Sequence, residues 1–130
     1  MRPPTEASAK ERAWRAFSKF IRLRDPQCIT CGKPTTEAGH YFHTSDKGTN
    51  PHLGGNEVWF NEKNVHGQEY SCNREKSGNL SLYTLYIEEK YGMGIVQDLR
   101  KLYNTPRKWT IEELLEIEKI YNLKCEKIEQ

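Results

Sequence analysis

The placement of cysteines constrains this chain more than any other feature. Cys28-Ile29-Thr30-Cys31-Gly32 sets two thiols on one tight turn, with a glycine that lets the backbone fold back. About forty residues later, Glu69-Tyr70-Ser71-Cys72 repeats the spacing with a carboxylate in the first place. Zinc takes four ligands in a tetrahedron, and two such turns supply two each. The pattern predicts a structural zinc held by Cys28, Cys31, Cys72 and Glu69, with His66, His52 or Cys125 able to replace Glu69. The plainer readings are a metal-free remnant of such a site, or buried thiols acting as small hydrophobes. A redox pair is disfavoured, because no βαβ pattern surrounds the turn.

A metal brace would suit the rest of the chain. Its 130 residues allow one domain, 1–130, and with 35% hydrophobic and 29% charged residues the core is thin. No apolar run is long enough for a signal segment or a membrane span, so a cytoplasmic protein is expected. There a C-x-x-C pair reads as metal-binding rather than as a disulfide.

The net charge of +2 hides an uneven distribution. Lys10, Arg12, Arg15, Lys19, Arg22 and Arg24 oppose Glu11 alone near the start. Glu112, Glu113, Glu116, Glu118, Glu126 and Glu129 outnumber Lys119, Lys124 and Lys127 at the end. This split suggests a polar partner such as nucleic acid, met by one face; an ordinary solvated helix face would look similar.

Periodicity divides the chain into a basic N-terminal helix (1–25), a central core (26–92) and C-terminal helices (93–130). Thr5 caps the first helix, Trp14, Phe17, Phe20 and Ile21 give it an apolar stripe, and Asp25-Pro26 stops it. A strand is expected over 35–42, a polar glycine-rich loop from His43 to Asn56, and a second strand over 57–60. Ser77-Gly78-Asn79 interrupts the next segment. A helix with Leu80, Tyr83, Tyr86 and Ile87 inward then runs to Gly92. Further helices follow over 95–103 and after the capping box Thr110-Ile111-Glu112-Glu113, the last with Ile111, Leu114, Leu115, Ile117, Tyr121 and Ile128 inward.

A second constellation, His40, Asn64, His66 and Asn73, lies between the two cysteine turns. A neutral imidazole can take a proton near pH 7, and a divalent cation on hard ligands can stabilise a leaving oxygen. Singly each residue is weak: a strand histidine is usually structural, Asn64 fits a turn and Asn73 fits a helix cap. Their order gives them weight.

Ala38-Gly39-His40-Tyr41, Asn64-Val65-His66-x-Gln68, Cys72-Asn73 and Ser77-Gly78-Asn79 with Tyr83 downstream resemble the NinG/Rap family of lambdoid phages. Trp14-x-x-Phe17-Ser18-x-Phe20-Ile21-Arg22, the Cys28 turn and Arg107-Lys108-Trp109-Thr110 fit the same family, so the likeness covers nearly the whole chain. It implies an α+β, mainly helical fold with a zinc-braced ββα-metal (HNH) core. It also implies a Mg²⁺- or Mn²⁺-dependent endonuclease cutting Holliday junctions, D-loops and other branched DNA in the host cytoplasm. His40 would be the general base, Asn73 would bind the catalytic metal with His40, Asn64 would orient the loop or the histidine, and His66 would ligate metal or touch phosphate. The family's second cysteine turn has a cysteine where Glu69 stands. Many HNH enzymes carry a metal ligand where Gly39 stands; Glu37, on the same strand face, or His43 would substitute.

Phosphate contacts are expected from Arg12, Arg15, Lys19, Arg22, Arg24, Arg74, Lys76, Arg107 and Lys108, with recognition of shape rather than sequence. Two coordinated cuts would suit a homodimer, and the C-terminal helix would either form its interface or pack on its own subunit. Two other readings are a zinc-knuckle DNA-binding module without cleavage and a protein–protein adaptor using the acidic helix.

Overall fold

Thr5 opens the first helix as its sequence dictates. Its hydroxyl accepts the Ser8 N–H at 3.1 Å, and the Ser8 hydroxyl accepts the Thr5 N–H at 3.0 Å. The structure is a computed structural model and describes residues 2–42 and 57–130; the loop expected from His43 to Asn56 lies outside the described residues. In chain order the elements are α1 (Glu6–Arg24), β1 (Glu37–His40), β2 (Val65–Gln68), a π-helical turn (Ser71–Glu75), α2 (Leu80–Tyr91), α3 (Ile95–Tyr103) and α4 (Ile111–Glu129). The chain is mainly helical around a small two-stranded sheet.

The two longest helices, α1 and α4, pair with each other. Arg12 meets Glu118, the Cys125 thiol approaches the Ala16 carbonyl, and Lys19 meets Glu129. These contacts advance together along both chains, so the helices run in the same direction. Ala9, Ala13 and Ala16 keep the facing side of α1 thin, and Phe17 packs edge-on against Tyr121 at 4.8 Å. Fully burying side chains such as Phe17, Ile21 and Leu114 contributes about 1.5–3 kcal/mol each. The basic and acidic ends of the sequence therefore meet within one chain. The apolar stripe of α4 packs on its own subunit, although Ile128 at its end is exposed rather than inward.

The hairpin sits against α1. β1 and β2 are antiparallel, with Glu37 opposite Gln68, Ala38 opposite Gly67, Gly39 opposite His66 and His40 opposite Val65. The strand expected over 57–60 is corrected: those residues form turns, with Val58 and Phe60 buried in the core, and the second strand is 65–68. The first strand is also shorter than the 35–42 expected. Arg24 and Asp25 tie the end of α1 to β2, Arg24 donating to the Val65 carbonyl at 2.8 Å and Asp25 accepting the Gly67 N–H at 2.9 Å.

After the π-helical turn, Ser77, Gly78 and Asn79 all take positive φ (50°, 90° and 53°), which breaks the helix where the sequence suggested. α2 and α3 then form a second small core from Tyr83, Ile87, Ile95 and Leu99. Leu80, expected inward, is exposed because it follows the break directly.

Candidate functional site

The first turn of the cysteine cluster closes where Cys28 N–H donates to the Lys33 carbonyl at 2.7 Å and Gly32 N–H to the Cys28 carbonyl at 2.9 Å. Gly32 has φ +80°, a conformation that side chains disfavour. The second turn brings Cys72 from the π-helical segment. All three Sγ atoms lie within 4.8 Å of one another, against an edge of about 3.8 Å for a thiolate tetrahedron at the usual zinc–sulfur length. Three cysteines are thus close enough to bind a metal such as zinc. Burial pushes the Cys28 thiol up, but the Thr30 hydroxyl and the backbone N–H groups of Glu69, Thr30 and Cys31 outweigh it and bring it down to about 7. Asn79 Nδ2 donates to Cys72 Sγ at 3.8 Å.

None of the proposed fourth ligands among the described residues joins this cluster. The Glu69 carboxylate turns back to accept the Ser71 hydroxyl and, at 3.0 Å, the Ser71 N–H, which together hold it below the usual carboxylate range. Cys125 is buried on α4, and His66 is engaged elsewhere. His52 lies outside the described residues.

Strand alternation sorts the second constellation into two faces. Ala38 and His40 face α1. The His40 ring, 4% exposed, stacks against both Trp14 at 4.8 Å and Trp59 at 4.3 Å, which also touch each other at 5.2 Å, and its Nε2 lies 3.1 Å from the Trp59 carbonyl. A carbonyl only accepts, so Nε2 carries a proton. Asn64 holds this region together. Its Oδ1 accepts the Phe42 N–H at 2.9 Å, while Nδ2 donates to the carbonyls of Phe42 at 3.0 Å and Val58 at 3.3 Å.

Glu37, Gly39, His66 and Gln68 face the other way. His66 is fully buried, with Nδ1 3.0 Å from Tyr83 Oη and Nε2 2.8 Å from Tyr91 Oη. Tyr83 gives its proton to the Gly39 carbonyl at 2.7 Å, so His66 Nδ1 donates and Nε2 accepts from Tyr91. Burial, then the Arg24 charge, drives the His66 pKa down to about 3. A neutral imidazole with both nitrogens engaged inside the protein braces the hairpin against α2. It presents no lone pair to a metal or phosphate.

Asn73 lies on this second face too. Its Nδ2 donates to Glu37 Oε1 at 2.8 Å, and Glu37 also pairs with Arg74 at 2.9 Å. Gln68, fully buried, donates Nε2 to the Gly78 carbonyl at 2.8 Å. A β-carbon on Gly39 would fall 2.0 Å from Gln68 Oε1 and 2.7 Å from Asn73 Oδ1, so a side chain there would have to displace both amides. The structure brings Asn73, Glu37 and Gly39 together but does not bring His40 to them; His43 lies outside the described residues.

A family model described as Bacteriophage Lambda NinG protein matches residues 5–130. The chain belongs to the NinG family. Protein ninG of Escherichia phage lambda is 36% identical over 119 residues, covering 88% of this chain and 54% of that protein. Protein ninG of Salmonella phage P22 is 34% identical over 119 residues, with the same coverage of 88% and 54%. The chain thus spans about half the length of the curated relatives it matches. No solved structure matches it significantly.

Several cations expected on DNA are engaged within this NinG-family chain. Arg12 grips Glu118, Arg15 pairs with Glu11, Lys19 with Glu129, Arg74 with Glu37, and Arg107 with Glu57 and Glu113. Arg24 is turned inward onto Asp25 and the carbonyls of Glu62 and Val65. Arg22, Lys76 and Lys108 are exposed and make no ion pair among the described residues. Neither Trp14 and Trp59 around His40 nor Gln68 beside Asn73 was assigned a role from the sequence. The signal for Gln68 was its place two residues from His66 on one strand face, opposite a glycine.

No helix of the structure is long and apolar enough to cross a membrane.

Proposed function

We propose that this chain is a metal-dependent endonuclease of the HNH (ββα-metal) kind that cuts branched DNA, such as Holliday junctions and D-loops, in the cytoplasm of the infected host. The observation that carries this reading is the bracing of His40. Asn64 fastens Phe42 to Val58, next to the Trp59 carbonyl that receives His40 Nε2. With Nε2 engaged as a donor, Nδ1 is the nitrogen through which His40 would take a proton from water.

Asn73 Oδ1 would hold Mg²⁺ or Mn²⁺, its amide oriented by Glu37; such an ion supplies charge stabilisation to the oxygen that leaves. Hard oxygen donors suit these cations, and the buried Gln68 Oε1, which accepts no hydrogen bond from the described residues, fits the same chemistry. The cysteine cluster, filled by zinc, fixes the backbone leading to Asn73. Arg22, Lys76 and Lys108, exposed and in no ion pair among the described residues, would meet phosphates, and a homodimer would supply two cuts.

One observation favours a second reading, a zinc-braced DNA-binding module without cleavage: His40 is stacked towards α1 while Asn73 lies on the opposite hairpin face. Incubating the protein with a labelled four-way junction and Mg²⁺ or Mn²⁺ separates the two. Cutting that His40→Ala and Asn73→Ala both abolish supports the nuclease; junction binding without metal-dependent cutting supports the module. Neither binding nor cutting points to an adaptor.

A further inference from the structure

The amide of Gln68 presents an arrangement that protein atoms alone do not satisfy. Its oxygen is buried and has no hydrogen-bond partner among the described residues. A buried acceptor left dry loses the hydrogen bonds that water would have given it. Turning the amide over does not help, because Nε2 is committed to the Gly78 carbonyl, which only accepts. The same holds for Asn73, whose Nδ2 is committed to the Glu37 carboxylate. Both amide oxygens are therefore driven towards one place, beside the α-carbon of Gly39, where a side chain would collide with them. Two acceptors facing one point, with no donor among the described residues, call for a cation or a water between them.

We propose that Gln68 Oε1 is a direct ligand, with Asn73 Oδ1, of a small divalent cation of the Mg²⁺ or Mn²⁺ class. This deepens the nuclease reading and rests on it for the ion's purpose. Carbonyl oxygens suit such ions, and the Glu37–Arg74 pair fixes the Asn73 amide while contributing no net charge. In this chain Gln68, reaching across from β2, takes the part that a side chain at position 39 would play. The glycine is what makes room for it.

The test uses the full chain loaded with zinc and titrated with Mn²⁺ alone, read by electron paramagnetic resonance. Wild type binds one Mn²⁺ saturably. Gln68→Met, of similar size but without the oxygen, weakens binding by about tenfold or more, and Gln68→Glu restores or tightens it. Retained zinc and an unchanged circular dichroism melt in Gln68→Met, with Gln68→Glu as the second variant, guard against a loss caused only by misfolding. Unchanged Mn²⁺ affinity in Gln68→Met, or no saturable binding by wild type, overturns the proposal and leaves an ordered water as the bridge. If Asn73→Ala abolishes junction cutting while Gln68→Met binds and cuts normally, the assignment of Gln68 fails and the nuclease reading stands. If wild type binds Mn²⁺ through Gln68 yet cuts no junction, the reverse holds.

Discussion

The Asn64 side chain treats Phe42 as a strand partner, accepting its N–H at 2.9 Å and donating to its carbonyl at 3.0 Å. An amide is the one side chain group that can do both at once and still reach the Val58 carbonyl. Replacing it by aspartate keeps the size but leaves two carbonyls facing a carboxylate with no donor. Asn64→Asp is expected to destabilise the fold by about 2–4 kcal/mol, more than Asn64→Ser, by urea denaturation. If the nuclease reading holds, junction cutting falls further than Mn²⁺ affinity does, because the damage reaches His40 rather than Asn73.

Zinc content separates the two cysteine turns. Cys28→Ser removes one of three clustered thiols and should abolish stoichiometric zinc, measured by elemental analysis, with a large fall in Tm. Glu69→Ala should keep its zinc, since that carboxylate is turned to Ser71. Its cost is confined to the local turn at Ser71. Zinc loss in Glu69→Ala would mean that the carboxylate swings into the cluster when the metal arrives.

His66 gives the fold an acid-sensitive joint. Its pKa is about 3 in the folded chain, against an ordinary value of 6.5, so between these values the unfolded chain binds the extra proton. Stability is therefore fully present above about pH 6.5 and declines as pH falls towards 3, by an amount on the order of a few kcal/mol. Tm measured across that range should fall more steeply for wild type than for His66→Gln, which has no proton to gain. Parallel slopes would show that His66 is not the responsible group.

The helices were legible because their signals are local. Thr5 and Thr110 are caps, Asp25-Pro26 is a stop, and Ser77-Gly78-Asn79 is a break that can be recognised without knowing what packs nearby. The sheet was not. Val58-Trp59-Phe60 is apolar enough to read as a strand, yet these side chains plug the core from a turn. The true strand, Val65-His66-Gly67-Gln68, carries two polar side chains whose burial depends on Tyr83, Tyr91 and Gly78, partners distant in sequence. For the same reason the site was half visible. His40, Asn64, Asn73 and the cysteines follow from motif order, whereas the two faces that separate His40 from Asn73 follow from a register that no local pattern specified.

The cations divide into those the fold uses and those it leaves to a ligand. Arg24 makes bonds to Asp25, Glu62 and Val65 with its side chain only 20% exposed. Arg24→Ala should therefore lower stability by about 3 kcal/mol or more through the unpaired Asp25 carboxylate, and DNA affinity only in proportion to the folded fraction. Arg22, Lys76 and Lys108 are exposed and pair with no acid among the described residues. Removing any one should leave folding stability within about 0.5 kcal/mol of wild type and reduce the dependence of junction affinity on salt by about one ion per residue. Fluorescence anisotropy with a four-way junction across a salt series measures that slope. An unchanged slope in the triple variant would place the DNA on a different face of the molecule, one reached only by releasing Arg12, Lys19 or Arg107 from their glutamates.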